Sequence, residues 1–164
     1  MTWTPAGNFA LPQAIADRST TKKCDLGTIV QCKDPTYGAG EFIYVDGVAS
    51  CAIRNWVTIN GDDGSITRLA ANAFGPVGVA MATLTASYYG WVQISGKALG
   101  TCLTQFADNG RVYITGTAGA VDDTSVAGDY VWNAKGASLT AVDSGYAEFE
   151  LHRPFVADRV SIIS

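Results

Sequence analysis

From residue 26 onwards the chain alternates. Short runs rich in valine, isoleucine, threonine and aromatic side chains lie between glycine-marked turns, and apolar residues within a run stand two apart. Successive side chains of a strand point to opposite faces, so period two marks strands with one face buried, whereas a helix repeats every three to four residues. Strands are expected at 26–30, 41–45, 56–59, 66–70, 77–83, 89–94, 99–105, 112–115, 130–133, 138–142 and 146–151. Short strands recurring at about 8–12 residues predict a mainly β fold, a single β-sandwich or small barrel, jelly-roll-like, with strand order left open. Only 13–17 and 68–73 have helical character, and both are shorter than an isolated helix needs.

The alternation also assigns faces. In 41–45, Phe42 and Tyr44 share one side and Glu41, Ile43 and Val45 the other. In 77–83, Val77, Val79, Met81 and Thr83 form one face, and the small residues between them let a second layer or another subunit approach closely. Turns are expected at Asp34-Pro35-Thr36-Tyr37-Gly38-Ala39-Gly40 and at Asn60-Gly61-Asp62-Asp63-Gly64, because glycine and asparagine tolerate positive φ. Three aromatic strands run into a glycine turn, at Gly47, Gly96 and Gly136; their uneven spacing makes this recurrent strand-and-turn chemistry and not a repeat array.

Residues 1–25 differ. Pro5 and Pro12 withhold backbone donors, and Ser19-Thr20-Thr21-Lys22-Lys23 buries little, so the segment reads as an extended N-terminal arm that orders only on a neighbour. The domain proper is expected over 26–157, with 158–164 as a C-terminal tail that adds a strand to a partner sheet. A chain of 164 residues is long enough for one hydrophobic core without staples.

Function is bounded first by what the residues disfavour. Eleven basic against fifteen acidic residues give a net charge of −4, with only Lys22 and Lys23 adjacent among the basic ones, which argues against nucleic acid. No apolar run approaches the ~20 residues of a membrane span, and the first residues show no secretory leader. Cys24, Cys32, Cys51 and Cys102 have no metal-ligand spacing and read as small buried thiols, with a disulfide among the first three left open. The single histidine, His152, and the absence of nucleophile, phosphate-loop or dinucleotide motifs leave no catalytic constellation, metal site or cofactor site. Asp62-Asp63 and Asp122-Asp123 fit turns better than a calcium loop or a glycosidase pair. Trp3, Trp56, Trp91 and Trp132 are either core packing or exposed platforms.

Glu41-Phe42-Ile43-Tyr44-Val45-Asp46-Gly47-Val48-Ala49-Ser50, Trp56-Val57-Thr58-Ile59, Val77-Gly78-Val79-Ala80-Met81-Ala82 and Tyr89-Gly90-Trp91-Val92-Gln93-Ile94-Ser95-Gly96-Lys97-Ala98 together resemble a group of small virion proteins of tailed bacteriophages. The resemblance covers roughly residues 26–105, and the last third matches only in style. It implies a non-enzymatic capsid decoration or cement protein, made in the host cytoplasm and bound to the outer surface of the head. Its partners would be the major capsid protein and its own copies in a trimer or dimer. The contact residues expected on that basis are Trp3, Phe9 and Leu11 in the arm, Tyr88, Tyr89 and Trp91 on the strand, and Ile162 and Ile163 in the tail. The competing expectation is a carbohydrate- or receptor-binding module of a head fibre or adhesin, with Trp91 or Trp132 stacked on a sugar ring.

Overall fold

A computed structural model describes residues 2–103, 106–138 and 145–158. Among them there is no helix: the fold is all β, a single antiparallel open sheet of twelve strands with a sandwich-like arrangement. In chain order the strands are β1 (Thr4–Pro5), β2 (Arg18–Ser19), β3 (Ile29–Asp34), β4 (Gly38–Asp46), β5 (Trp56–Ile59), β6 (Ile66–Arg68), β7 (Gly75–Ala80), β8 (Tyr89–Thr101), β9 (Arg111–Ile114), β10 (Val121–Asp122), β11 (Tyr130–Gly136) and β12 (Tyr146–Val156). They lie in the order β1-β3-β4-β8-β7-β12-β11-β9-β10, with β2 added to β8, and β5 and β6 branching from β7. The two segments with helical character are tight turns, in which Asp17 N–H donates to Ala14 O and Ala73 N–H to Ala70 O.

The branching follows from the length of β8. Its thirteen residues exceed any one neighbour. One edge holds β4, from Tyr89 to Gly96; the other takes β2 at Tyr89–Gly90, β7 at Val92–Gln93 and β12 from Ser95 to Thr101 in succession. The sequence suggested a break at Ser95-Gly96-Lys97, but the strand passes through it. Gly96 has φ 94° and is paired with Gly40, so glycine here allows two backbones to approach and does not turn the chain.

Three apolar clusters fill the molecule. The first packs Trp56, Val77, Val79, Phe106, Val112, Ile114, Val131, Phe149, Leu151 and Val156. The second holds Val45, Val57, Ile59, Ile66, Ala80, Leu84, Val92 and Ile94, and the third Trp3, Ile15, Cys32, Phe42, Tyr44, Met81 and Trp91. The faces read from 41–45 hold: Phe42 and Tyr44 enter the third cluster, Val45 the second, with Ile43 packed against it. Those read from 77–83 hold only to Val79, because β7 ends at Ala80 and the bend that follows sends Met81 into the third cluster.

The second half of β4 and the first half of β8 are therefore covered on both faces, and the second face is sealed by the N-terminal segment. This corrects the expectation of an arm that needs a neighbour. The segment is extended, but Trp3 and Ile15 are buried against its own sheet, and its two short strands pair with β3 and β8. Pro5 is tolerated because β1 is an edge strand, which has no ladder donor to lose on its outer side. Gln13 fastens the segment. Its Nε2 donates to Asp17 O (2.9 Å) and Tyr89 O (3.1 Å), its Oε1 accepts from the Tyr44 hydroxyl (2.8 Å), and its carbonyl accepts from Trp91 Nε1 (3.0 Å).

Asp34 makes a second attachment, accepting from the N–H groups of Thr2, Thr36 and Tyr37. Burial opposes its ionisation, but the donations from Tyr37, Thr36 and Thr2 together outweigh that and hold the carboxyl below its ordinary range. A carboxylate so depressed stabilises the fold fully above the unfolded value of about 3.9, and the contribution is lost as pH falls through the folded value. In urea titrations the wild-type midpoint is expected to exceed that of Asp34→Asn at neutral pH, with the gap closing under acid below about pH 4. A gap that is constant down to acid unfolding would contradict this role.

Candidate functional site

The outer face of β9, β11 and β12 is divided by a paired irregularity. β11 and β12 slip in register between Trp132 and Ala134, and Asn133 (φ 62°) and Arg153 (φ 50°) lie in the left-handed region there. The slip resets the alternation, so Leu151 and Val156 both face the first core although an odd number of positions separates them. On one side of the slip the outer face is charged and internally paired, Lys97 with Glu148 at 2.7 Å and Lys135 with Glu150 at 3.5 Å. On the other side it is aromatic.

The aromatic half is a stripe across strands. Tyr130 stands opposite Tyr113, Trp132 opposite Phe155, and Phe155 opposite Pro76. Their strand neighbours Val112, Ile114, Val131, Val156 and Val77 point into the first core, which puts the stripe on the opposite face. Ring centroids are 5.4 Å apart for Tyr113 and Tyr130, 4.7 Å for Tyr130 and Trp132, and 5.4 Å for Phe74 and Phe155, the last two pairs edge to face. Three strand spacings make the row about 14 Å long. Phe74 is 72% exposed, Trp132 53% and the nearby Val126 41%.

No protein family, curated protein or solved structure matches the chain.

The contact residues expected from the sequence do not come together. Trp91 is fully buried and Trp3 nearly so, which corrects their assignment to a contact surface: alternation on β8 aims Trp91 at Gln13, and Trp3 packs edge to face on Phe42 at 4.9 Å. Leu11 and Tyr89 are half-buried against the third cluster, Tyr89 stacking on Tyr44 at 6.5 Å. Tyr88 carries the Arg18 guanidinium 4.3 Å above its ring. Phe9 alone is exposed, and Ile162 and Ile163 lie outside the described residues, as do most of the strand expected at 138–142 and nearly all of the tail. The four tryptophans divide cleanly. Trp3, Trp56 and Trp91 are interior, so of the two proposed for sugar stacking only Trp132 presents a surface.

Three of the aspartates weighed for chemistry have structural partners. Asp63 accepts from Ser65, Asp123 from Ala107 N–H and Asp129 from Asn72 N–H. Among the described residues no three His, Cys, Asp or Glu side chains converge as metal ligands, and no helix is long and apolar enough to cross a membrane. Cys32, Cys51 and Cys102 are buried and Cys24 half-buried. Burial, opposed by a hydrogen bond with Leu84 and the charge of Arg68, pushes the Cys51 thiol up to about 11, far from a reactive thiolate.

Phe74, Tyr113, Tyr130 and Phe155 were not singled out from sequence. The Tyr130-Val131-Trp132 alternation was visible there, but the cross-strand register and the slip that turn Phe155 outward were not.

Proposed function

We propose that the chain is a structural protein of a tailed-bacteriophage head, a decoration or cement protein that binds the outer surface of the shell and stabilises it by non-covalent contacts. The supporting observation is where the phage-like segments lie. They correspond to β4, β5, β7 and the first part of β8, neighbours in one sheet and the part of it most thoroughly buried. What is shared is a rigid scaffold, and a protein that braces a shell needs rigidity more than it needs a cleft. The outer aromatic stripe lies mainly on β9, β11 and β12, beyond the region of resemblance, where a partner-specific surface belongs.

The test is cosedimentation of the purified protein with empty heads of the phage that encodes it. The expected result is saturable binding at a fixed ratio to the major capsid protein. Protein left in the supernatant at every concentration would reject the reading. The exposure of Trp132 favours one other reading, a glycan- or receptor-binding module, in which the indole stacks on a sugar ring. Retention on immobilised cell-surface glycan, lost in Trp132→Ala, would select it.

A further inference from the structure

We propose that the aromatic stripe is the seam of a two-fold homodimer, in which Phe74 and Trp132 of one copy pack against the same stripe of a second. This goes beyond the shell-binding reading and does not depend on it. The first support is charge. The segments around Phe74 and Trp132, 69–77, 124–128, 130–134 and 154–157, contain no Asp, Glu, Lys, Arg or His apart from Asp129 between them, and the stripe meets charge at its far end, where Asp122 stands opposite Tyr113. Asp129, at their centre, is buried, and its carboxylate is taken by Asn72 N–H, which ties the 70–74 turn to the 124–129 loop.

A two-fold contact is isologous, so a charge close to the axis faces its own copy and repels it. In a chain of net charge −4, the uncharged surface around Phe74 and Trp132 is where self-contact meets least opposition. The adjoining half of the same face serves less well, because a contact there would desolvate the Lys97–Glu148 and Lys135–Glu150 ion pairs.

The second support is the kind of surface. Interface centres are depleted of charge and enriched in aromatic side chains that act as anchors. Here Trp132 and Phe74 are the two most exposed large apolar side chains among the described residues, and each is already held edge to face by a neighbour, Tyr130 and Phe155. Little side-chain freedom is left to lose on association.

The experiment is light scattering after gel filtration over a dilution series, on the full chain and on Phe74→Ser/Trp132→Ser. The full chain is expected at twice its 17.2 kDa mass, dissociating on dilution, and the variant at the single-chain mass with an unchanged circular dichroism spectrum. A second measurement needs no variant. Because the other three tryptophans are interior, acrylamide quenching of the wild-type protein reports chiefly Trp132, and it is expected to fall as concentration rises. A single-chain mass at every concentration overturns the proposal, as does a folded double variant that stays dimeric. So does quenching that responds to added oligosaccharide or to shells but not to concentration. Failure to bind shells leaves the dimer prediction standing.

Discussion

Trp91→Ala is expected to lower the unfolding free energy by about 4 kcal/mol, the range for truncating a fully buried aromatic side chain. Trp91 sits where the sheet meets the N-terminal segment, edge to face with Tyr44 at 5.0 Å and donating to the Gln13 carbonyl. Its removal opens a cavity and leaves that carbonyl without its donor, which adds about 1 kcal/mol or more if no water replaces it. The damage is expected to be uneven. Amides of residues 2–25 should lose hydrogen-exchange protection before those of β9 and β11, which belong to the first cluster and share no side chain with the third. Trp132→Ala, on the surface, should cost under about 1 kcal/mol in the isolated chain. Equal losses for the two substitutions in urea titrations would contradict the division between interior and exposed indoles.

Gly96→Ala is expected to cost about 3 kcal/mol or more, although it adds a single methyl group. Two independent obstacles act there. The φ of 94° lies where an L side chain strains the backbone, and a β-carbon would run into the carbonyl oxygen of Ala39 and stand 3.0 Å from Gly40 Cα. Neither obstacle is a side chain that can swing aside. The surroundings are also fixed, since the buried amide of Gln93 donates to Ser95 O (3.0 Å) and Lys97 O (2.9 Å) on either side of the glycine. Gly61→Ala, in an open turn with nothing within 4 Å of the added carbon, is the control and should be nearly neutral. A thermal melt of Gly96→Ala within a degree or two of wild type would mean that β4 and β8 do not approach as described.

Strand existence was legible because alternation is a local property, readable as Phe42 and Tyr44 against Ile43 and Val45 without knowing any partner. What the partners decide was not. Gly96 carries the same local signal as a turn glycine, and only the pairing with Gly40 makes it a point of close approach. β1, β2 and β10 are two residues each, too short for any period to show, and they exist because a neighbouring edge was available. The N-terminal segment looked detached for a related reason. Its apolar residues, Trp3, Leu11 and Ile15, are too widely spaced to form a pattern, yet an extended chain can lay such residues one by one along an open sheet face. The candidate surface depended on register and on one slip, neither of which leaves a trace in composition.

The most direct measurement of the proposed role is on intact, purified particles of a tailed phage whose genome carries this sequence: the chain's copy number relative to the major capsid protein, together with labelling by a reagent that cannot enter the head. The account predicts a fixed ratio across preparations and labelling of surface lysines such as Lys22 and Lys23, which are exposed. Absence of the chain from the heads, or its presence without labelling, would contradict a role on the outer surface of the shell.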